Sequence, residues 1–178
     1  MTPVKALRVW LTSIFNSRGE RIYVLKTNRI SYGGTAAIVT STALINGLSA
    51  ADATKPVIVS ALLIAALADN LTDALSVHIF QESERLDQKD AFTGTITNFL
   101  TRLLLCLSFV LLVGLFPLAY AGNVSIVWGM VLLATLTYLV ARERKVNPHL
   151  EVVKHVAVAA AVIIVSIVIG HWIAAVLS

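Results

Sequence analysis

Two aspartates, Asp69 and Asp73, stand inside an apolar run that extends from Pro56 to Phe80. Read as a helix at about 100° per residue, they lie roughly 40° apart on one face, and Thr72 and Ser76 fall in the same stripe. Ile64, Leu67, Leu71 and Leu75 point elsewhere. Carboxylates within a spanning segment are costly and usually functional. A row of oxygen ligands suits hard or borderline divalent cations. The same row could carry protons, because a desolvated carboxylate beside another has a raised pKa. The bland alternative is that the hydroxyls glue helices together. A third is that Arg102, near the start of the next apolar segment, neutralises Asp73 in a structural ion pair.

Other polar residues could complete or compete with this stripe. Thr42 and Asn46 are four apart on the preceding segment and are candidates for neutral oxygens opposite Asp69, or for plain interhelical hydrogen bonds. His78 and Glu82 share another face, where they could bind metal at a membrane mouth or form an ordinary helix pair. Glu82, Glu84, Asp87 and Asp90 surround Arg85 and Lys89, as a cation-concentrating patch or a solvated mixed-charge loop. Glu151 and His155 form a second interfacial pair. There is no nucleophile–base arrangement, phosphate-binding glycine loop or zinc motif, so the reading is not an enzyme and implies no resident cofactor.

These residues sit in a chain of 178 residues that is 57% hydrophobic and 13% charged, with a mean hydropathy of +0.83. Soluble domains carry roughly a quarter charged residues. The expectation is an all-α, multi-pass integral membrane protein with the lipid bilayer as its partner. The net charge of +4 is no nucleic-acid signal, because the basic residues collect at segment flanks. The lone Cys106 supports no disulfide framework.

Five apolar segments are expected, at about Ile30–Ala50, Pro56–Phe80, Ile96–Ala121, Val124–Val140 and Val152–Leu177. Trp128 and Tyr138 are read as interfacial anchors of the fourth. Residues 1–29 read as an amphipathic helix on the membrane surface, and residues 30–178 as the five-helix domain. Residues 1–29 carry six Lys/Arg, and further basic residues follow the second and fourth segments, whereas the opposite side has only Lys55. The positive-inside rule then puts the N-terminus in the cytoplasm, and in a bacterium the membrane would be the cytoplasmic one.

The stretch Ala68-Asp69-Asn70-Leu71-Thr72-Asp73-Ala74-Leu75-Ser76-Val77, with Glu82 after it, resembles the second-span motif of the vacuolar iron transporter family. Ser108-Phe109, Gly114 and Pro117-Leu118 are similar to that family's third-span pattern, and Ile169-Gly170 to its closing Ile-Gly. The resemblance implies five spans, a cytoplasmic N-terminus, a homodimer, and transport of iron or manganese. It puts the family's second-span Glu on Asp73, its metal-binding Met on Asp69 and its first-span Asp-Gly on Tyr32-Gly33. The carboxylate of that last motif is not kept, nor is the family's cytoplasmic insertion between spans two and three. The leading expectation is a transporter of a divalent cation, with proton coupling open. Asp69 and Asp73 would bind the ion or carry the proton, Glu82 would assist, and Thr72, Ser76, Thr42 and Asn46 would supply oxygens. The alternatives are a non-transporting membrane subunit of the same fold and a proton-coupled carrier of another small solute.

Overall fold

The computed structural model describes residues 27–83 and 88–177. Among them every regular element is a helix: α1 Thr27–Ala50, α2 Lys55–Ser83, α3 Gln88–Leu115, α4 Leu118–Glu143 and α5 Pro148–Leu177. Four of the five, α2 to α5, are long and apolar enough to cross a membrane. The amphipathic segment expected over residues 1–29 lies almost wholly outside the described residues.

The α3–α4 break differs from expectation. It falls at Phe116-Pro117, and the stretch around Gly122-Asn123 is helix. Pro117 has no N–H to continue α3, and it biases the residue before it away from helix. Its own backbone, at φ −56° and ψ 144°, caps α4. The fourth segment is therefore 26 residues long, and Trp128 lies well inside it. The indole donates to the Ser108 hydroxyl of α3 at 3.2 Å.

The other joints follow turn chemistry. Asp52 takes φ 57° and Lys145 φ 56°, the left-handed conformation that ends helices tightly. Asn147 accepts from the N–H groups of His149 and Leu150 at 3.1 and 3.4 Å, with Pro148 opening α5. Lys55 donates to the carbonyls of Gly114 and Phe116 at 2.8 and 3.1 Å. That gives Lys55 a structural task, since the end of α3 has carbonyls without helical partners.

α1 packs against all four other helices. It is also the least apolar of the five. The two facts agree: a helix enclosed by protein needs little hydrocarbon-compatible surface, provided its polar groups are satisfied inside. The main core cluster draws on all five helices, with Ile38 and Ile45 of α1, Leu62 of α2, Phe109 of α3, Leu133 of α4 and Ala159 of α5. α4 turns a row of buried residues inward at four-residue steps: Ala121, Ser125, Gly129, Leu133, Thr137 and Ala141. All but Leu133 are small, which permits close helix approach. α5 shows the opposite pattern and leaves Val153, Ile164, Val165 and Val168 exposed, as a lipid-facing helix would.

α1 and α5 approach each other closely at Gly47 and Gly170. A methyl group on Gly170 would overlap the Gly47 carbonyl oxygen and lie 2.9 Å from the Ala50 Cβ. Gly114 has no neighbour within 4 Å of such a methyl. Gly170→Ala should therefore cost about 1–3 kcal/mol through overpacking. Gly114→Ala should be neutral or slightly stabilising. Thermal melting of the two variants in the same detergent checks this, and equal midpoints would sink the packing assignment.

Candidate functional site

α2 and α3 form the most extensive helix pair. Ile58, Leu62, Ala66, Asn70 and Ala74 are buried at four-residue steps along α2. On α3 the corresponding row is Asn98, Arg102, Cys106, Phe109 and Val113. Ala66 and Cys106 share a small apolar cluster with Ala37 of α1. One turn further along α2 and one turn back along α3, Asn70 meets Arg102. A further step on this antiparallel register sets Asn98 opposite Ala74.

Arg102 is 5% exposed. Its Nε donates to Asn70 Oδ1 at 2.7 Å, and its Nη1 donates to Asp73 Oδ2 in an ion pair. The ion pair weighed for Asp73 is thus formed. Asp73 keeps 43% of its side-chain surface exposed, so the pair has a buried cation and a half-exposed anion. α1 closes over it at Gly33. A methyl group there would overlap Asn98 Oδ1 and lie 2.8 Å from Cγ and Cδ of Arg102. Asn70 Nδ2 and both polar atoms of the Asn98 amide are buried with no hydrogen-bond partner among the described residues. Such groups cost free energy unless water or an ion meets them.

The stripe divides. Asp73 turns to α3, while Asp69, Thr72 and Ser76 are exposed on the outer side of α2. Thr72 and Ser76 each donate to the carbonyl one turn back, of Ala68 and Thr72, at 2.9 Å. Their lone pairs stay available while their protons are satisfied. Asp69 stands at the midpoint of α2, which runs Lys55–Ser83, and is near enough to Arg102 to interact with it electrostatically.

Thr42 and Asn46 do not join Asp69 within one chain. Asn46 donates to Ser125 Oγ of α4 at 3.0 Å and to the Thr42 carbonyl at 2.8 Å. Thr42 Oγ1 donates to the Ile38 carbonyl at 2.8 Å. The reason is the central place of α1, whose polar face meets the small-residue row of α4. The side chain of Glu82 and the acidic group around it lie outside the described residues. Among the described residues no three His, Cys, Asp or Glu side chains come together as a metal site. At the start of α5, Lys154 donates to Glu151 Oε1 at 3.0 Å, and His155 Nδ1 lies 2.8 Å from the Glu151 carbonyl. A carbonyl only accepts, so that nitrogen carries the proton.

Asn70 and Asn98 are site residues that the sequence reading does not single out. Their signal lies in spacing: Asn70 is three residues before Asp73, and Asn98 is four before Arg102. Each helix therefore brings an amide and a charge to one face. Comparison with family models, with curated proteins and with solved structures gives no match for this chain.

A double-mutant cycle tests the network. Arg102→Leu should lower stability by about 2–3 kcal/mol, because it strips Asp73 and Asn70 of a charged donor. Asp73→Asn should also destabilise, and the two should couple by about 1–3 kcal/mol. Additive effects in detergent unfolding would show that the pair does not hold α2 to α3.

Proposed function

We propose that this chain is a membrane transporter for a divalent cation such as iron(II) or manganese(II), acting as a symmetric dimer. The observation that carries this reading is Asp69, a carboxylate exposed on the outside of the bundle at the middle of a span-length helix. Against lipid such a group costs about 2.5–3.5 kcal/mol even on lenient scales, so it calls for a cover of protein or water. A twofold contact along α2 would bring Asp69 from both copies together, since such an interface repeats each residue. Thr72 and Ser76 would add neutral oxygens. In this reading α1 is the fifth span, threaded through the other four, and the six Lys/Arg of residues 1–29 stay on the cytoplasmic side. The motif resemblance around Asp69–Val77 supports the same conclusion. Arg102 neutralises Asp73, which leaves Asp69 as the principal ion ligand. Protonation of Asp73 would loosen Arg102, a means of coupling to protons.

A second reading, a non-transporting subunit of the same fold, is favoured by the closed Asp73–Arg102 pair. A carboxylate already held by a guanidinium is a poor ligand for a dication.

Metal uptake into vesicles holding the purified protein separates the two. The parent should take up manganese(II) or iron(II). Asp69→Asn should lose uptake by roughly tenfold or more, the equivalent of about 1.4 kcal/mol or greater, while Thr42→Val should keep it. No uptake by the parent would favour the second reading, and undiminished uptake by Asp69→Asn would remove the site.

A further inference from the structure

Two adjoining cavities open between α1, α4 and α5 at the end of the bundle that carries the Arg142–Lys145 turn. The first, of about 420 Å³, is bordered by Thr35, Thr137, Arg144, Glu151 and His155. The second, of about 390 Å³, shares Thr35, Ala36 and His155 with it. It has Lys154 on its rim and runs toward mid-span between Val39, Leu133, Val158 and Ala159. A third, of about 350 Å³, shares Val39 and continues along α1 and α5 to Gly170. The three make one crevice with a polar mouth and an apolar length.

The mouth is basic. Among its lining residues, Arg144 and Lys154 stand against Glu151, a net of +1 before any histidine is counted. Glu151, the acidic group bordering the mouth, is answered by Lys154 at 3.0 Å. His155 Nδ1 is occupied by the Glu151 carbonyl, so Nε2 is the atom left to meet a ligand, as an acceptor in the neutral ring and a donor to an anion in the imidazolium. Thr137 borders the mouth, is 7% exposed, and its hydroxyl has no hydrogen-bond partner among the described residues.

We infer that this crevice binds an anionic glycerophospholipid, with its phosphate among Arg144, Lys154 and His155 and an acyl chain along the α1–α5 groove. Basic pockets between spanning helices recognise anionic headgroups in this way. A free phosphate would use only the mouth, whereas the apolar extension past Val39 and Val158 suits a chain. A second copy of the protein would bring the same basic mouth toward its own like. The inference is independent of the Asp69 reading.

The full-length protein in uncharged detergent is titrated with phosphatidylglycerol, phosphatidylcholine or inorganic phosphate. Native mass spectrometry counts retained lipid, and the melting temperature is followed in parallel, since a ligand of the folded state raises it. Phosphatidylglycerol should be retained several-fold better than phosphatidylcholine and should stabilise the protein, and inorganic phosphate alone should not. The Arg144→Gln/Lys154→Gln double variant should lose the preference. Arg142→Gln/Lys145→Gln, a matched charge change outside the crevice lining, should keep it. Val158→Trp, at an exposed position in the apolar stretch, should reduce retention of both lipids. Equal retention of the two lipids, phosphate acting as well as lipid, or no effect of Arg144→Gln/Lys154→Gln would overturn the inference. So would efficient disulfide cross-linking of Val158→Cys copies in a bilayer, which would put a second copy on this face.

Discussion

A guanidinium buried inside a helix bundle must find acceptors on neighbouring helices, and much of this structure follows from how Arg102 is answered. Its five N–H groups need acceptors from neighbouring helices. α2 supplies Asn70 Oδ1 and Asp73 Oδ2, and α1 supplies room through Gly33. The contact also fixes register. With Asn70 on Arg102, Ala66 falls beside Cys106, and both pack on Ala37. A slip of one turn would put alanine against the guanidinium and the asparagine against the apolar cluster. The pair thus selects one α2–α3 alignment, a use for buried charge that does not require it to be strongly stabilising.

The same economy explains why the most polar helix is the central one. Thr42, Asn46 and Ser41 are buried because α1 is walled in. Asn46 bonds to Ser125 on the small-residue row of α4, and Ser41 donates to Cys106 at 3.7 Å. Outward surfaces are dominated by leucine, valine and isoleucine. Asp69 breaks this division, and that is its significance. It is not consumed by the α2–α3 pairing, and it stands on the side of α2 that none of the described helices covers. Arg102 and Asp69 are therefore placed differently, one buried between α2 and α3 and the other exposed at the middle of a span-length helix.

The helices and the span-forming character of α2 to α5 are legible in the sequence, because apolar runs of this length between basic flanks match the thickness of a bilayer. The α3–α4 boundary is not, since Gly122-Asn123 looks like the loop and is helix. Pro117 dictates a break regardless of the apolar residues on both sides, whereas a glycine within a helix only lowers its stability. At the site, the helical period places Asp69 and Asp73 within one broad face but does not tell which edge α3 takes. Asp73 lies on the side of Asn70 and is claimed by Arg102, while Asp69 is left outside. Thr42 and Asn46 look like partners for Asp69 by residue type alone. Their helix neighbours decide otherwise, and neighbours are what a single sequence does not show. Asn98 carries a faint signal, its four-residue spacing from Arg102, and its importance emerges only once Gly33 is seen against it.

In the transporter proposed above, Asp69 from two copies makes one ion site. Its most direct test is the stoichiometry of manganese(II) bound to the purified, membrane-reconstituted protein, measured together with the oligomeric state. One tightly held ion per two chains in a dimer is expected, lost when Asp69 is replaced by asparagine. One ion per chain, binding by a monomer, or binding that survives Asp69→Asn would contradict it.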